Sequence, residues 1–348
     1  MALRPVYIAH PAALTVELGD LHNAARATSL LLGGTPGALV ERSNANGFRF
    51  YARQFYDAAG KRRETYIAGP IGDPEADALA EATAERIAES RRTIDLVRML
   101  GREGFQVADA AAFAVIAALH NRAVFAGGAV LVGSHAFGVL TNALGIRVSA
   151  YATDDIDLAR GAQLAISSVP SEGLIGILRE SGLPFVEIPG LDPRRPPTSF
   201  KLPGPTGLHV DVLCPAGRVP FAAEPVPELG THATGMPRLR YLLAETQMAV
   251  FISRAGVAEV RVPVGERFAL HKLMVSQMRV GRDAKAAKDL AQAAVLLAAL
   301  AEWHPGAVEA AAAGLSAGER KLVAKARPAV SALLVPHPRA VEVLAGVV

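Results

Sequence analysis

The sequence predicts an α/β (or α+β) protein, and three stretches of its apolar pattern support this prediction. Apolar and polar residues alternate through residues 38–68, which indicates a small antiparallel β meander. From about residue 126 to 262, strand, turn and helix patterns follow one another, and after Pro263 the period becomes helical. We therefore expect a small basic β-rich domain, an α/β domain with leading helices and a helical domain, over residues 1–72, 73–262 and 263–348.

Composition narrows the class of protein further. Of the 348 residues, 51% are apolar and 20% are charged, which excludes a disordered chain and allows a sizeable buried core. The net charge of +3 is too small to name a binding partner by itself. Cys214 is the single cysteine, which excludes an internal disulfide framework and a cysteine-based zinc cluster. A reducing compartment fits this cysteine usage, and we expect a cytoplasmic protein.

We expect neither of two apolar segments to be a signal peptide or a membrane-spanning helix. The N-terminal segment is interrupted by prolines and closed by Glu17 and Asp20, which is unlike a signal peptide. Between Arg122 and Arg147, about 24 residues carry no formal charge, which is long enough for a spanning helix. Glycines and polar residues recur there, however, so we expect a buried strand, a Gly-Ser turn and a buried helix, with the strand over 129–132 and the helix over about 135–144.

Helices are expected before and after the strands of the α/β part. Asp73-Pro74 opens a long helix over 74–102, with acidic residues early and basic residues late, as the helix dipole favours. A mostly apolar helix follows over 107–121, and residues 192–206 are proline-rich and loop-like. The remaining predicted elements are strands over 153–159, 185–188, 208–213 and 258–262, helices over 172–181, 265–279 and 283–301, and two or three Ala-rich helices at the end.

Two of the predicted strands carry acidic residues that point to chemistry, in the segments TDDIDL and LHVDVL. Residues two apart in a strand project to one face, so Asp155 and Asp157 should lie together, with Ile156 buried on the other side. Asp211 would complete a three-carboxylate cluster if its strand is a neighbour. Such acids repel one another unless divalent cations lie between them, and ligands made of oxygen alone favour Mg²⁺ or Mn²⁺.

A Gly-Ser turn precedes these acids in the chain. Gly133 and Ser134 join the predicted buried strand to the predicted helix. Backbone N–H groups at the N-terminus of a helix bind phosphate, so this turn is a candidate phosphate site. Ser134 can equally cap the helix, because capping and phosphate binding use the same geometry.

In this order, the Gly-Ser turn, the Asp-x-Asp strand and the later Asp strand resemble the DNA polymerase β-like nucleotidyltransferase superfamily. The Thr-x-Asp-Ile-Asp form, and its long separation from Ser134, look most like the abortive-infection and toxin-type bacterial members. The segment FALHKL and the later Lys288-Asp289-Leu290 are similar to the helical half of those proteins. Tyr66-Ile67-Ala68-Gly69 resembles an extra N-terminal domain of a bacterial subgroup. The resemblance covers about residues 38–300.

The resemblance implies a mixed sheet flanked by helices, with residues 73–262 as the catalytic domain and a helical domain that closes over a nucleotide. It implies that the acids bind Mg²⁺ or Mn²⁺ and take part in catalysis, and that the turn and a lysine hold the phosphates of an NTP. The site residues would be catalytic and metal-binding Asp155, Asp157 and Asp211, and nucleotide-binding Gly133, Ser134 and Lys272.

Plainer interpretations remain open for these residues. The acids can form a solvated strand end, and Asp154 with Ile156 is an alternative register of the pair. Lys272 can be a surface lysine whose stem covers apolar residues. His209 shares a face with Asp211 and is a further candidate ligand. The basic hairpin over 49–63 can be a solvated surface. We expect its aromatic residues and their neighbours in the core and not as stacking platforms; they are Phe48, Phe50, Tyr51, Phe55 and Tyr66. The same plain interpretation, a solvated helix face, applies to Arg279, Arg282, Lys285 and Lys288.

The sequence therefore predicts an enzyme. It would be a metal-dependent nucleotidyltransferase that moves an NMP from an NTP to an acceptor hydroxyl, on RNA or protein, and releases pyrophosphate. One alternative is a non-catalytic nucleic-acid-binding or antitoxin-like protein on the same fold, and another is an enzyme that modifies a small molecule such as an antibiotic. The basic N-terminal block favours a macromolecular acceptor, and no membrane partner is expected.

Overall fold

The computed structural model describes residues 4–148, 155–166, 169–189, 195–204, 207–279, 281 and 283–347. It has the expected α/β architecture of mixed sheets flanked by helices. The N-terminal part comprises strand β1 (Ile8–Ala9), helix α1 (Ala12–Ala27), strands β2 (Ala38–Ser43), β3 (Arg49–Tyr56) and β4 (Arg62–Ala68), and helices α2 (Pro74–Arg102) and α3 (Ala110–Asn121).

The central part alternates strands and helices. Its first half comprises β5 (Ala129–Val132), α4 (Gly133–Ala143), β6 (Ile146–Arg147), β7 (Asp155–Arg160), α5 (Leu174–Glu180), β8 (Val186–Glu187) and β9 (Ser199–Lys201). Its second half comprises β10 (His209–Pro215), β11 (Ala223–Val226), β12 (Thr231–Met236), α6 (Leu239–Leu243), β13 (Thr246–Ser253) and β14 (Gly256–Pro263). The C-terminal part is helical, as predicted, with α7 (Gly265–Ser276), α8 (Asp283–Trp303), α9 (Ala307–Ala313), α10 (Ala317–Leu333) and α11 (Pro338–Val347).

Strands β2, β3 and β4 form the predicted antiparallel meander. Helix α2 packs against one face of it, where the Tyr51 hydroxyl donates a hydrogen bond to Asp77. Helix α2 has the bounds that the sequence predicts, because Asp73 accepts hydrogen bonds from two backbone N–H groups of its first turn. Pro74 fits the first helical position, where no N–H donor is required.

The central sheet is mixed and positions the candidate site. Its strand order is β11-β12-β10-β7-β5, with β9 also paired to β10 and β8 paired to β9. Strand β7 runs parallel to β10 and antiparallel to β5. The starts of β7 and β10 therefore lie at the same edge of the sheet as the end of β5, where helix α4 begins.

Two predicted boundaries are wrong near this edge. The loop expected over 192–206 contains strand β9, which pairs with β10 through Phe200 opposite Val210. Phe200 is 1% exposed, so burial of its ring outweighs the turn-forming prolines around it. Helix α4 begins at Gly133 and not at about residue 135, so the Gly-Ser pair forms its first turn.

A second sheet, the hairpin of β13 and β14, packs against α1, α3, α4 and β5. The sequence predicts only residues 258–262 of it and misses β13 altogether. Residues 249–253 of β13 are all buried, and such a continuous apolar run lacks the alternation that identifies a half-buried strand. The uncharged segment before Arg147 forms β5 and α4, and among the described residues no helix is apolar and long enough to cross a membrane.

The C-terminal helices share one apolar cluster with the central sheet. Helices α7 and α8 pack closely on each other, and residues 292–301 in the second half of α8 are all buried. The helical part therefore lies directly against the part that carries the acids.

Replacing the residue that caps α2 tests how much this cap contributes to the stability of the fold. Asp73→Ala should lower the free energy of unfolding by about 1 kcal/mol, because two N–H groups of the first turn lose their acceptor. Urea denaturation measures the change. Asp95→Ala is the matched control on the same helix, since the exposed Asp95–Arg98 pair contributes less than about 0.5 kcal/mol. Equal losses in the two variants would contradict the capping role.

Candidate active site

Two neighbouring parallel strands bring the predicted acids to one surface. In the register of β7 and β10, Asp157 lies opposite Asp211. Ile156 is fully buried, and side chains alternate along a strand, so Asp155 and Asp157 project together to the other face. Directly paired residues share a face, which brings Asp211 to the same surface.

His209, the further candidate ligand, is held by one of these acids. It pairs with Asp155 in the register of the two strands. Its Nδ1 atom lies 3.2 Å from Oδ1 of Asp155, at the exposed edge of the sheet. Asp154, the alternative acid of the pair, lies outside the described residues.

Gly133 brings the start of α4 against the acids. Its φ is +68°, in the region that favours glycine. A Cβ atom on Gly133 would lie 1.8 Å from Oδ2 of Asp157, so a larger residue would displace that carboxylate. Val132 pairs with Asp157 across β5 and β7, which fixes this approach. The Gly-Ser turn and the acid cluster are therefore parts of one site.

Ser134 lies in the first turn of α4 and does not cap the helix. The N-cap residue is Val132, whose side chain forms no capping hydrogen bond, and Ser134 lies two residues further into the helix. The capping interpretation of Ser134 is therefore wrong. The N-terminus of α4 offers backbone N–H groups and a hydroxyl beside the Asp157 carboxylate.

The surroundings of Asp157 destabilise the ionised form of its carboxyl group. Burial raises its pKa to about 6, and the neighbouring Asp211 carboxylate adds to the rise. The Lys272 ammonium acts in the opposite direction. Additional positive charge at this surface would therefore stabilise the ionised form of Asp157.

The acids form an open surface and not a closed cage. Among the parts of the chain that the structure describes, no three His, Cys, Asp or Glu side chains are close enough together to hold a metal ion by themselves. The donor set still suits a hard divalent cation, because Asp155, Asp157 and Asp211 offer carboxylate oxygens alone. Mg²⁺ commonly takes one or two carboxylates and completes its shell with water and substrate phosphates. The residues therefore fit Mg²⁺ or Mn²⁺ bound together with a nucleotide.

Lys272 is anchored between α7 and α8. Its Nζ atom lies 2.8 Å from Oδ1 of Asp289 and 5.3 Å from the centre of the Phe268 ring. Asp289 is 2% exposed and also accepts a hydrogen bond from Arg279. Lys272 is only 13% exposed, so its interpretation as a surface lysine is wrong. Arg279 is likewise ion-paired, and Arg282 lies outside the described residues.

Sequence reasoning misses two lysines of α8 that act on the acids. The charge of Lys285 lowers the pKa of Asp157. Burial lowers the pKa of Lys288, whereas the carboxylates of Asp155 and Asp157 oppose that change. A signal was present in the spacing, because Lys285 and Asp289 are four residues apart and so share a helix face. The interpretation as a solvated helix face overlooks that the charges of these two lysines and of the acids act on one another.

Comparison with known proteins agrees with the geometry of this surface. A family model described as a nucleotidyltransferase matches residues 110–315, which is more than half of the chain. Comparisons with curated proteins and with solved structures find no significant match. The matched range contains the Gly-Ser turn, all three acids and the lysines of α7 and α8. Nucleotidyltransferases act on NTP substrates and generally use divalent metal ions. The chain therefore belongs to a nucleotidyltransferase family of enzymes.

Proposed function

We propose that the chain is a metal-dependent nucleotidyltransferase that moves an NMP from an NTP to an acceptor hydroxyl on RNA or protein and releases pyrophosphate. One observation carries the proposal: Asp157 lies between Asp211 on one neighbouring strand and Gly133 at the end of the other. A carboxylate pair suited to cations thus adjoins a helix N-terminus suited to phosphate, which is the combination that an NTP with its metal ions requires.

The first turn of α4 would hold the β- and γ-phosphates. Gly133 carries no side chain, so the Asp157 carboxylate lies directly beside the backbone of this turn, and a cation held by that carboxylate would lie next to the phosphates. Ser134 adds a hydroxyl donor next to the N–H groups of the turn. The positive end of the helix dipole favours negative charge at this position.

Asp155, Asp157 and Asp211 would hold the divalent cations. When bound, Mg²⁺ or Mn²⁺ neutralises the charge that develops on the transferring phosphoryl group. Asp211 would also accept the proton of the acceptor hydroxyl as that oxygen bonds to the α-phosphorus. The bond from the α-phosphorus to the bridging oxygen breaks in the same step, and pyrophosphate leaves.

Lys272 would neutralise the leaving pyrophosphate. Its pairing with Asp289 fixes the position of the ammonium, and its charge still reaches Asp157. Lys285 and Lys288 add positive charge from α8 on the same side. Three lysines of the helical part would therefore face the phosphates, opposite the acids of the sheet.

The finer assignments in the proposal rest on the sequence. Membership of the abortive-infection or toxin-type branch and ATP as a substrate rest on the resemblance. Mg²⁺ (or Mn²⁺) rests on the oxygen ligands of the acids, and the cytoplasmic location rests on the cysteine usage. The division into domains after residues 72 and 262 belongs to the same proposal.

Metal and nucleotide binding can be tested by thermal stability. Mg²⁺ with an NTP should raise the melting temperature of the wild-type protein, because a ligand that binds only the native state stabilises it. Asp155→Asn with Asp157→Asn should abolish the rise in differential scanning fluorimetry. In EDTA the same variant should melt no lower than the wild type, since a buried and repelled charge is removed.

Asp95→Asn, which changes an exposed acid of α2, is the matched control and should keep the full rise in melting temperature. An undiminished rise in the double variant would show that these acids do not hold the metal.

The proposed role of Asp211 predicts a defect in chemistry and not in nucleotide binding. Asp211→Asn should lower kcat by about 100-fold or more, because the acceptor proton loses its base. The Kd for NTP should change little, since the proposed phosphate contacts of the turn and Lys272 and the cation ligands Asp155 and Asp157 all remain. Single-turnover kinetics and equilibrium binding separate the two effects. A folded Asp211→Asn variant with wild-type kcat would refute the role.

The buried ion pairs of Asp289 make a prediction about stability. Asp289→Asn should lower the free energy of unfolding by about 3 kcal/mol or more, because Lys272 and Arg279 lose their shared counter-ion. Lys272→Met should lower it less, because Asp289 keeps its pair with Arg279. Urea denaturation of both variants measures the difference. If Asp289→Asn were the milder change, Asp289 would not be the anchor of Lys272.

A further inference from the structure

The meander of β2, β3 and β4 has one covered face and one open face. On the covered face, Tyr51 binds Asp77 of α2, and the buried Arg53 donates hydrogen bonds to carbonyl oxygens of residues 33–36. Strand pairing assigns the opposite side chains to the open face. They include Arg42, Phe50, Gln54, Arg62, Glu64 and Tyr66.

Three aromatic rings form a row on the open face. The centre of the Phe50 ring lies 6.2 Å from that of Phe48 and 5.5 Å from that of Tyr66, with interplanar angles of 24° and 40°. Gly69 allows this packing, since a Cβ there would lie 2.8 Å from Cβ of Phe50. Phe48 remains 39% exposed and Tyr66 55% exposed. The expectation that the aromatic residues of the hairpin belong to the core is therefore wrong for these two.

The meander is also basic. Residues 38–68 contain six Lys or Arg and three Asp or Glu, a net charge of +3 that equals that of the whole chain. Arg42 lies opposite Phe50 on the open face, where Glu64 holds its guanidinium group. Arg62 lies further along the same face and is exposed. On the open face Arg42 and Arg62 outnumber Glu64 by one charge, so a small net positive charge lies beside the row of rings.

We infer that the open face of the meander binds single-stranded RNA, with bases stacked on the rings of Phe48, Phe50 and Tyr66. Proteins hold single strands by combining aromatic platforms with a basic surface, and stacking of this kind accepts any base. The phosphates would lie near Arg42 and Arg62. A lipid surface or an apolar protein partner would have to bury the charged groups beside the rings, which is unfavourable.

Polar groups beside the rings favour RNA over DNA. The Tyr66 hydroxyl and the Gln54 amide lie on the same face of the meander. The Tyr66 hydroxyl can form hydrogen bonds with a 2′-hydroxyl, which only RNA carries, whereas the amide nitrogen of Gln54 donates to Glu64. The inference that the meander binds RNA rests on the features of this surface alone. Its identification as the acceptor, with a terminal hydroxyl that receives the NMP, rests on the proposed function.

Fluorescence anisotropy with the full-length protein and a labelled single-stranded RNA of about 20 nucleotides tests the inference. Phe48→Ala with Tyr66→Ala should weaken binding by about tenfold or more, because bases lose their stacking partners. Phe221→Ala is the matched control and should bind like the wild type, since Phe221 is an exposed ring (59%) outside the meander. Binding by the wild type should also weaken as salt rises, because phosphate contacts release counter-ions.

Three results would overturn the inference: no binding by the wild type, equal binding by the double variant, or equally tight binding of DNA of the same sequence. Cross-linking of the wild type to RNA that contains 4-thiouridine decides the matter if the double variant does not fold. Cross-links within residues 42–69 would support the inference, and cross-links confined to other segments would overturn it.

The two proposals fail in different ways. If nucleotide transfer is not the activity, no NTP labels any acceptor, but anisotropy still decides whether the meander binds RNA. If the meander does not bind RNA, the wild type gives no anisotropy change or the Phe48→Ala/Tyr66→Ala variant binds RNA as tightly as the wild type, while the melting response to Mg²⁺ and NTP and its dependence on Asp157 persist.

Discussion

The close approach of the Asp157 carboxylate to the backbone of Gly133 is the constraint on which the rest of the site depends. It exists because β5 ends beside β7 and because the residue after Val132 has no side chain. The Gly-Ser turn and Asp157 are therefore placed by the sheet itself. The parallel pairing of β7 with β10 then adds Asp211. A site built on strands holds its groups more precisely than one built on loops.

The helical part completes this surface through a buried charge cluster. Asp289 holds Lys272 and Arg279, so the end of α7 and the start of α8 are tied together beside the acids. The helical part thus contributes basic side chains to this surface, and the sheet contributes carboxylates. The charge of Lys272 lowers the pKa of Asp157. An NTP with its metal ions would place alternating charge between the two sets, which offsets the repulsion between Asp157 and Asp211.

Local patterns in the sequence predicted the meander, the bounds of α2 and the order of the Gly-Ser turn and the acids. Alternation and capping act between near neighbours, so they can be recognised from short segments. Contacts between residues far apart in the chain could be predicted less well from the sequence. Strand β9 was hidden among prolines, and the contact of Lys272 with Asp289 joins residues 17 apart. Alternation also does not reveal which face of a sheet is covered, which is why Phe48 and Tyr66 were expected in the core.

The central claim is transfer of a nucleotidyl group, and the fate of the two ends of the NTP tests it most directly. Purified protein with Mg²⁺ and cellular RNA or protein should be supplied with each NTP labelled at either the α- or the γ-phosphate. The account predicts that the α label appears in the acceptor and the γ label in free pyrophosphate, with both signals lost in the Asp155→Asn/Asp157→Asn variant. Transfer of the γ label to the acceptor, or α-label transfer that survives in that variant, would contradict it.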